Sequence, residues 1–175
     1  FIFRFKTIVR VSEDPCGATK YADNKVFAYL IFITKFLTYN LSYKIIANAK
    51  KSRDCIKKFT FKKDKILLLN NPTLNKLNKI KNKKSKKYFL NIGRYCKQKN
   101  QSFLIDIFYK FSKKNKNFTL ILNGDGPDKK KLIDKVSKLK LRKKVKFLTW
   151  RKFNDSLYKK SKLFILTSYY EGMPN

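Results

Sequence analysis

Residues 88–94 read Tyr-Phe-Leu-Asn-Ile-Gly-Arg, and this stretch decides the fold class of the chain. A mostly apolar run of strand length ends at Gly93, and polar residues follow it. A helix is predicted from about Asn100, because apolar side chains then recur at the spacing of one helix face: Phe103, Leu104, Ile107, Phe108 and Phe111. A strand, a short loop and an amphipathic helix form the repeating unit of a parallel α/β sheet.

The same unit recurs downstream. Apolar runs predict strands at 118–122, 145–148 and 163–166. Asp128 is suited to cap the helix after the first of these strands, and the predicted core side of that helix consists of Leu132, Ile133, Val136 and Leu139. The alternation predicts a doubly wound parallel sheet, and such sheets bind ligands at the carboxyl ends of their strands.

Residues 1–72 show a similar alternation. Strands are predicted at 1–11, 43–48 and 65–69, and helices at 20–39 and 50–59. Residues 73–87 contain seven lysines and no acid, which is typical of a solvated linker. The chain is therefore expected to hold part of one α/β domain, a lysine-rich linker, and a second α/β domain over 88–175.

The composition is strongly basic. Lys and Arg number 44 against 11 Asp and Glu, which gives a formal net charge of +33. Such a charge favours an anionic partner, either nucleic acid or an anionic membrane surface. The abundance of Lys, Asn, Phe, Tyr and Ile is equally the profile of any protein from an A/T-rich genome, so coding bias stays open as the origin of the charge.

The chain contains no histidine, which excludes Ser-His-Asp and Cys-His nucleophile systems and histidine metal ligands within it. Cys16, Cys55 and Cys96 are far apart with no paired spacing, so we expect neither a zinc site nor a disulfide framework. Three separate thiols suit a reducing cytosol.

The segment from Val26 to Ile33 is apolar throughout. It is much shorter than the roughly 20 residues that span a bilayer. We expect a buried helix here, with a helix that contacts an anionic membrane as the alternative.

The loops after the predicted strands carry the candidate site. Arg94 and Lys99 form a positive cradle after the first strand, and such charges stabilise a departing diphosphate. The start of the helix at Asn100 would add to the same field. Glu171, beside Gly172 after the last strand, offers a carboxylate that accepts hydrogen bonds from sugar hydroxyls. In a parallel sheet these groups are expected to converge on one edge. Solvated surface residues are the alternative interpretation.

Together these segments resemble the family 4 (group 1) glycosyltransferases, which have the GT-B architecture of two Rossmann-like domains. The matching segments are Asn91-Ile92-Gly93-Arg94, Lys97-Gln98-Lys99-Asn100, Leu120 to Pro127, Val145 to Leu148, Leu163 to Ser168 and Glu171-Gly172-Met173-Pro174. The resemblance implies that residues 1–72 are the C-terminal part of the acceptor-side domain. It also implies that 73–87 are the linker and that 88–175 are most of the donor domain of a longer protein.

The family's activity gives the expected function. The resemblance implies a retaining transferase that moves a sugar from a UDP- or GDP-sugar to a hydroxyl of a glycan or lipid-linked acceptor. No metal and no further cofactor are implied. We expect a role in bacterial cell-surface polysaccharide or lipopolysaccharide biosynthesis, in the cytoplasm and at the inner face of the membrane. The isolated chain is expected to be inactive, because half of the cleft would be missing.

The resemblance also assigns roles to single residues. Arg94 and Lys99 would hold the donor diphosphate, and Glu171 would be the first acid of the Glu-x7-Glu motif and contact the donor sugar. The remaining residues expected to line the nucleotide, sugar and phosphate are Gly93, Gly124, Leu148, Trp150, Gly172, Met173, Pro174 and Asn175. The sequence departs from the family at Thr149, where glycine is common. The resemblance implies that the second motif acid lies beyond residue 175, and the chain has no histidine to match the family's acceptor-side histidine.

Two other classes of function remain open. One is a basic module that binds single-stranded nucleic acid. The other is an epimerase or phosphorylase on the same architecture.

Overall fold

A computed structural model describes residues 5–22, 24–71, 88–149 and 155–172. The chain divides into two compact units, Phe1–Lys76 with Tyr170–Asn175, and Leu77–Tyr169. Both units are built on parallel sheets, which confirms the predicted α/β class. The whole of the lysine-rich segment 73–87 lies outside the described residues.

The first unit has a three-stranded parallel sheet in the order β1-β2-β3. Its core surrounds the central strand, where Ile45 and Ala47 are fully buried against Tyr39, Ile56 and Phe59. The elements are β1 (Ile8–Val11), α1 (Pro15–Lys20), α2 (Lys25–Leu41), β2 (Lys44–Ala47), α3 (Lys50–Ile56) and β3 (Ile66–Leu68).

The sequence does not predict helix α1, because Ser12 to Pro15 has the composition of a polar break. In the structure the same residues begin a helix. Asp14 is the N-cap and accepts a hydrogen bond from the N–H of Cys16 at 3.1 Å, while Pro15 occupies the first turn, where a missing N–H costs nothing. The helix predicted over 20–39 accordingly begins later, at Lys25.

Helix α2 is not the buried helix that the sequence predicts. Tyr39 is its buried residue, whereas Val26, Phe27, Leu30 and Leu37 are each more than half exposed. Within the described residues, no helix combines the length and the apolar content needed to cross a bilayer. The first unit therefore presents an apolar helix face that the rest of the described unit does not cover.

Cys16 and Cys55 form a disulfide that joins α1 to α3, with their Cα atoms 5.9 Å apart. The expectation that the chain lacks disulfides was wrong. The two residues are 39 positions apart, and sequence spacing does not reveal that the first turn of α1 packs beside the last turn of α3. Cys96 is a free cysteine in the second unit.

The second unit holds a four-stranded parallel sheet in the order β6-β5-β4-β7. Helices cover both of its faces, since Leu120 and Leu122 pack under α4 and α5 while Leu90 and Ile121 pack against α6. The predicted doubly wound sheet is thus confirmed. The elements are β4 (Tyr88–Ile92), α4 (Gln101–Lys114), β5 (Thr119–Asn123), α5 (Lys129–Lys138), β6 (Val145–Leu148), α6 (Asp155–Lys160) and β7 (Leu163–Phe164).

The strand order creates a topological switch point. Successive strands from β4 to β6 move toward one edge of the sheet, whereas β7 returns to the other side of β4. Open α/β sheets bind ligands outside the carboxyl ends of the two strands at such a reversal. The loops after β4 and β7 therefore border the candidate site.

The predicted core side of α4 was partly wrong. Phe103 and Ile107 are 53% and 45% exposed, while Gln101, Ile105 and Ser112 are buried. The hydrophobicity pattern does not reveal this face, because Gln101 and Ser112 are polar and are buried with their side chains hydrogen-bonded.

Helix α5 agrees more closely with its predicted core side. Leu132 and Val136 are buried as predicted, but Ile133 is exposed. Asp128 occupies the predicted N-cap position without a side-chain capping hydrogen bond. The apolar spacing thus identifies the face of this helix, although not each of its members.

The disulfide gives a first prediction. Replacing Cys16 or Cys55 with serine should lower the free energy of unfolding of the first unit by about 2–4 kcal/mol, because a long loop in the unfolded chain is no longer closed. Chemical denaturation followed by circular dichroism measures this change, with Cys96→Ser as the matched control of near-zero effect. Thiol titration of the denatured, unreduced wild-type chain should find one thiol; finding three would contradict the bond.

Candidate functional site

The candidate site begins with the loop after β4, which is joined by backbone hydrogen bonds to the loop after β5. The N–H of Gly93 donates to the carbonyl of Asn123 at 3.1 Å, and the N–H of Tyr95 donates to the carbonyl of Asp125 at 2.8 Å. The Tyr95 ring is fully buried, and its hydroxyl donates to the carbonyl of Leu122 at 2.8 Å. Desolvation of this phenol raises its pKa well above the usual value. It therefore stays neutral and keeps donating.

Gly124 and Gly126 allow the loops after β4 and β5 to approach each other closely. A Cβ on Gly124 would collide with the carbonyl oxygen of Gly93, and a Cβ on Gly126 would lie 2.8 Å from the backbone nitrogen of Tyr95. Gly126 also has a φ of +153°, which side chains rarely adopt. Gly93, in contrast, has open space, since its nearest neighbours are 3.8 Å away. Gly124 thus has a packing role in addition to the substrate-binding role that the resemblance implies.

The two predicted cations, Arg94 and Lys99, lie on this one loop. Arg94 is exposed, and Lys99 ends a short 3₁₀ turn over 97–99. Asn100 follows in the left-handed conformation, with φ 51° and ψ 42°, and begins α4. The structure therefore places both cations beside the start of a 14-residue helix, at the carboxyl end of β4.

The backbone of the cation-bearing loop is held from two sides. The side chain of Gln101, which is 1% exposed, donates to the carbonyl of Arg94 at 3.0 Å. The hydroxyl of Thr167, from the segment after β7, lies 3.2 Å from the carbonyl of Lys99 and 3.1 Å from that of Asn100. Neither residue is among the predicted site residues, because both are uncharged; Thr167 lies in the matching segment Leu163 to Ser168, but the resemblance gives it no role of its own.

The segment after β7 runs beside the end of β4 and the loop that follows it. Asn91 donates from its side chain to the carbonyl of Ile165 at 2.8 Å, and the N–H of Tyr169 donates to the carbonyl of Gln98 at 2.9 Å. Within the described part of the chain, three buried side-chain oxygens near these strand ends find no hydrogen-bond partner; they belong to Asn91, Asn123 and Ser168. This edge of the sheet is therefore polar.

The nearby acid Asp125 is locally compensated. Its carboxylate accepts a hydrogen bond from the N–H of Gly126 at 2.8 Å and pairs with Lys129 at 3.3 Å. The Gly126 N–H and the Lys129 ammonium hold the pKa of Asp125 below its usual range. The loop 93–100 itself contains no acid and carries three basic residues, Arg94, Lys97 and Lys99.

Glu171 and Gly172 belong to the first unit, unlike the two cations. Gly172 lies against the backbone of Ser12 and Glu13, with no room for a Cβ. Because the two cations and Glu171 lie in different units, their convergence stays a prediction.

The base-side positions are only partly described. Leu148 ends β6, and its carbonyl accepts a hydrogen bond from the N–H of Gly124 at 3.0 Å. The structure thus brings Leu148 to the same strand-end region as Gly93 and Gly124. The remaining predicted site residues, Trp150, Met173, Pro174 and Asn175, lie outside the described residues.

One group of potential metal ligands occurs among the described residues, formed by Asp14, Cys16 and Cys55 in the first unit. The two sulfurs are joined to each other, and a disulfide supplies no thiolate ligand. Asp14 is engaged with Lys51 at 2.9 Å. Burial opposes ionisation of Asp14, but the Lys51 ammonium and the N–H groups at the start of α1 outweigh it, and the pKa lies below its usual value. This group is a structural one in the oxidised chain.

The glycine contacts give a second prediction. Gly124→Ala should destabilise the second unit by about 1–3 kcal/mol, because its methyl group would displace a backbone carbonyl that cannot move freely. Gly93→Ala is the matched control and should change stability by about 0.5 kcal/mol or less, since space is available. Chemical denaturation of the two variants measures both values. Equal effects would contradict the described packing.

Comparison with known proteins places this arrangement in a family. The family model for glycosyl transferases group 1 matches residues 73–175. The uncharacterized glycosyltransferase MJ1059 of Methanocaldococcus jannaschii is 41% identical over 87 residues, covering 50% of this chain and 21% of that protein. The amylovoran biosynthesis glycosyltransferase AmsD of Erwinia amylovora is 33% identical over 85 residues, covering 49% of this chain and 24% of that protein.

Solved structures agree at the level of the fold. A mutant of S. aureus TarM, in complex with fondaparinux, α-GlcNAc-glycerol and UDP, superimposes with a TM-score of 0.74 at 19% identity. The match covers 95% of this chain and 33% of that one. The matched part of the chain covers 21% and 24% of the length of the two curated relatives. The family match and the shared fold establish that this chain belongs to the group 1 glycosyltransferases and has the GT-B fold.

Proposed function

We propose that the protein to which this chain belongs transfers a sugar from a nucleoside diphosphate sugar to an acceptor hydroxyl, with retention of configuration. The observation that carries the proposal is the placement of Arg94 and Lys99 on one restrained loop at the β4–β7 switch point, beside the start of α4. This is the arrangement that a diphosphate leaving group requires.

The proposed chemistry is a displacement at the anomeric carbon. The bond from that carbon to the diphosphate breaks, a bond to the acceptor oxygen forms on the same face, and the acceptor proton leaves on a diphosphate oxygen. Arg94 would bind two phosphate oxygens through its planar fork, and Lys99 would act as a point charge. The first N–H groups of α4 would add their dipoles. These groups would together supply the positive charge at the leaving diphosphate, and no metal is proposed.

The donor contacts follow from the family resemblance. Glu171 would accept hydrogen bonds from the donor sugar, and the backbone amides of 172–175 would line the sugar and phosphate. Leu148 and Trp150 would border the base. TarM was crystallised with UDP, which supports UDP over GDP as the nucleotide of this chain.

The proposed acceptor is a glycan or lipid-linked hydroxyl in cell-surface polysaccharide biosynthesis. The support is the similarity to AmsD, a glycosyltransferase of amylovoran biosynthesis. Because the chain is shorter than these relatives, transfer is proposed for the whole protein, and the isolated chain is expected to bind nucleotide without transferring sugar. The epimerase or phosphorylase alternative shares the diphosphate site, and product analysis with a labelled nucleotide sugar separates the two.

We also propose that the first unit contacts an anionic membrane through α2. Among its 17 residues, Lys25 and Lys35 carry the charge, while one long side of the helix exposes Leu30, Leu37 and Leu41. Phe61 is 80% exposed beside this helix, with its ring edge-on to Phe36 at 5.4 Å, and lysines flank it at positions 57, 58, 62 and 63. Apolar side chains bordered by lysines are suited to the interface of anionic lipids.

The diphosphate site gives a third prediction. Arg94→Ala and Lys99→Ala should each weaken UDP binding by about 10–100-fold, because a hydrogen bond to a charged phosphate is lost. Isothermal titration calorimetry measures the change. Lys110→Ala, which removes the same charge from an exposed position on α4, is the matched control and should change affinity less than about twofold.

An unchanged UDP affinity in both site variants would refute the diphosphate assignment. If instead single-stranded oligonucleotide binds tightly at physiological salt, with a steep salt dependence that Lys110→Ala shares, the nucleic-acid module is favoured over the transferase.

The exposed helix gives a fourth prediction. At about 0.5 M salt, where charge attraction is screened, the chain should still sediment with phosphatidylglycerol-containing vesicles. The Leu30→Ser/Leu37→Ser variant should lose at least about tenfold in binding, since two apolar anchors are removed. Ile107→Ser, an exposed apolar position in the other unit, is the control. Equal binding by all three proteins would exclude α2 as the contact.

A further inference from the structure

The cation-bearing loop contains a conformation that needs support from outside. Asn100 adopts the left-handed region at the junction between the 3₁₀ turn and α4. This region costs a non-glycine residue roughly 1 kcal/mol, although asparagine tolerates it better than most. Lys99 directly precedes this residue, so its backbone direction depends on whether the junction holds.

Thr167 supports the end of the loop that joins α4. Its hydroxyl is the donor that faces the carbonyls of both Lys99 and Asn100, and it comes from the segment after β7 rather than from the loop itself. The same segment is fixed to β4, because the N–H of Ile165 donates to the carbonyl of Leu90 at 2.8 Å. The hydroxyl therefore acts from a part of the fold that is anchored in the sheet.

Gln101 restrains the other end of the loop. Its buried side-chain amide donates to the carbonyl of Arg94 at 3.0 Å. Because the Gln101 side chain is buried, leaving its amide without this hydrogen bond would cost more free energy than the same loss at a solvated position. The backbone carbonyls of Arg94 and Lys99 are thus each held by a neutral side chain, which adds no charge of its own to the diphosphate site.

We infer that Thr167 and Gln101 are positioning residues for the diphosphate site, which hold the backbones of Lys99 and Arg94 so that both cations meet the same diphosphate. The inference rests on the proposed function, since it assigns a purpose to the support of these two cations. Preorganised charge stabilises a leaving group without reorganisation during the reaction, whereas a loose loop loses that advantage.

The test compares nucleotides that differ in the second phosphate. Thr167→Val removes the hydroxyl at nearly constant volume, Thr167→Ser keeps it, and Gln101→Met removes the amide donor. Calorimetric titration with UDP and with UMP, in the full 175-residue chain, separates a loss at the diphosphate from a general loss of structure. GDP and GMP form the parallel series.

We expect Thr167→Val and Gln101→Met each to weaken UDP binding by about tenfold and UMP binding by less than about twofold, because each variant loses the side-chain donor that supports the loop. Thr167→Ser keeps the hydroxyl and should bind both nucleotides like the wild type. Equal losses for UDP and UMP, or no loss, would overturn the inference. Circular dichroism identifies a variant that fails to fold, and the other positioning variant then decides the outcome.

The same experiment separates this inference from the proposed function. If Arg94→Ala and Lys99→Ala weaken UDP binding while the positioning variants do not, the diphosphate site stands and the positioning inference fails. If none of the four variants changes UDP affinity, or if neither UDP nor GDP binds, the diphosphate assignment fails and the positioning inference fails with it.

Discussion

The close approach of two backbones, at Gly93 and Gly124, is the constraint on which the candidate site depends. The strand ladder between β4 and β5 continues into their loops only because Gly124 has no side chain at the point where it meets the Gly93 carbonyl. Tyr95 then fills the space below, and its backbone donates to the carbonyl of Asp125. The direction in which Arg94 leaves the sheet follows from this packing, so a feature of the core sets the geometry of the site.

The electrostatic character of the loop after β4 depends on the absence of acids from its own sequence as much as on the presence of basic residues. The chain has many more basic than acidic residues, and charge alone does not distinguish a site residue from a surface residue. What distinguishes the loop after β4 is its fixed backbone and its lack of acids. Asp106 and Asp125 are each paired with a lysine of α5, Lys135 and Lys129 respectively. Neutral side chains such as Thr167 then orient the cations without cancelling their charge.

The sequence predicts well the parts of the fold that have one dominant local cause. Strands β4 and β6 have the predicted bounds, because their short length and the polar turns that flank them favour a buried strand over a helix. The parallel order follows from the alternation of elements. Local signals also suggest the two cations, because Arg94 follows a strand-ending glycine and Lys99 lies just before a helix, and their role in binding stays a prediction. The failures have a different cause, since each depends on contacts made outside the element's own stretch of sequence. The core side of α4 includes Gln101, whose burial makes sense only with the Arg94 carbonyl in place. The Cys16–Cys55 bond requires α1, which lies in a segment that resembles a turn, and the support from Thr167 links positions 68 residues apart.

The segment that contains Glu171 shows the same dependence in the first unit. Sequence patterns indicate that its position is set by β7, which precedes it. In the structure, Tyr170 packs on Gly17 and stacks on Tyr21 at 5.8 Å, and Gly172 lies on the backbone of residues 12–13. That underlying stretch is itself tied to β2 and α3 by a set of contacts: Asn48 to Ser12, Ser52 to Glu13, Lys51 to Asp14 and Cys55 to Cys16. The backbone next to the predicted sugar-binding acid is therefore positioned by the residues of the unit that the sequence assigns to the acceptor side.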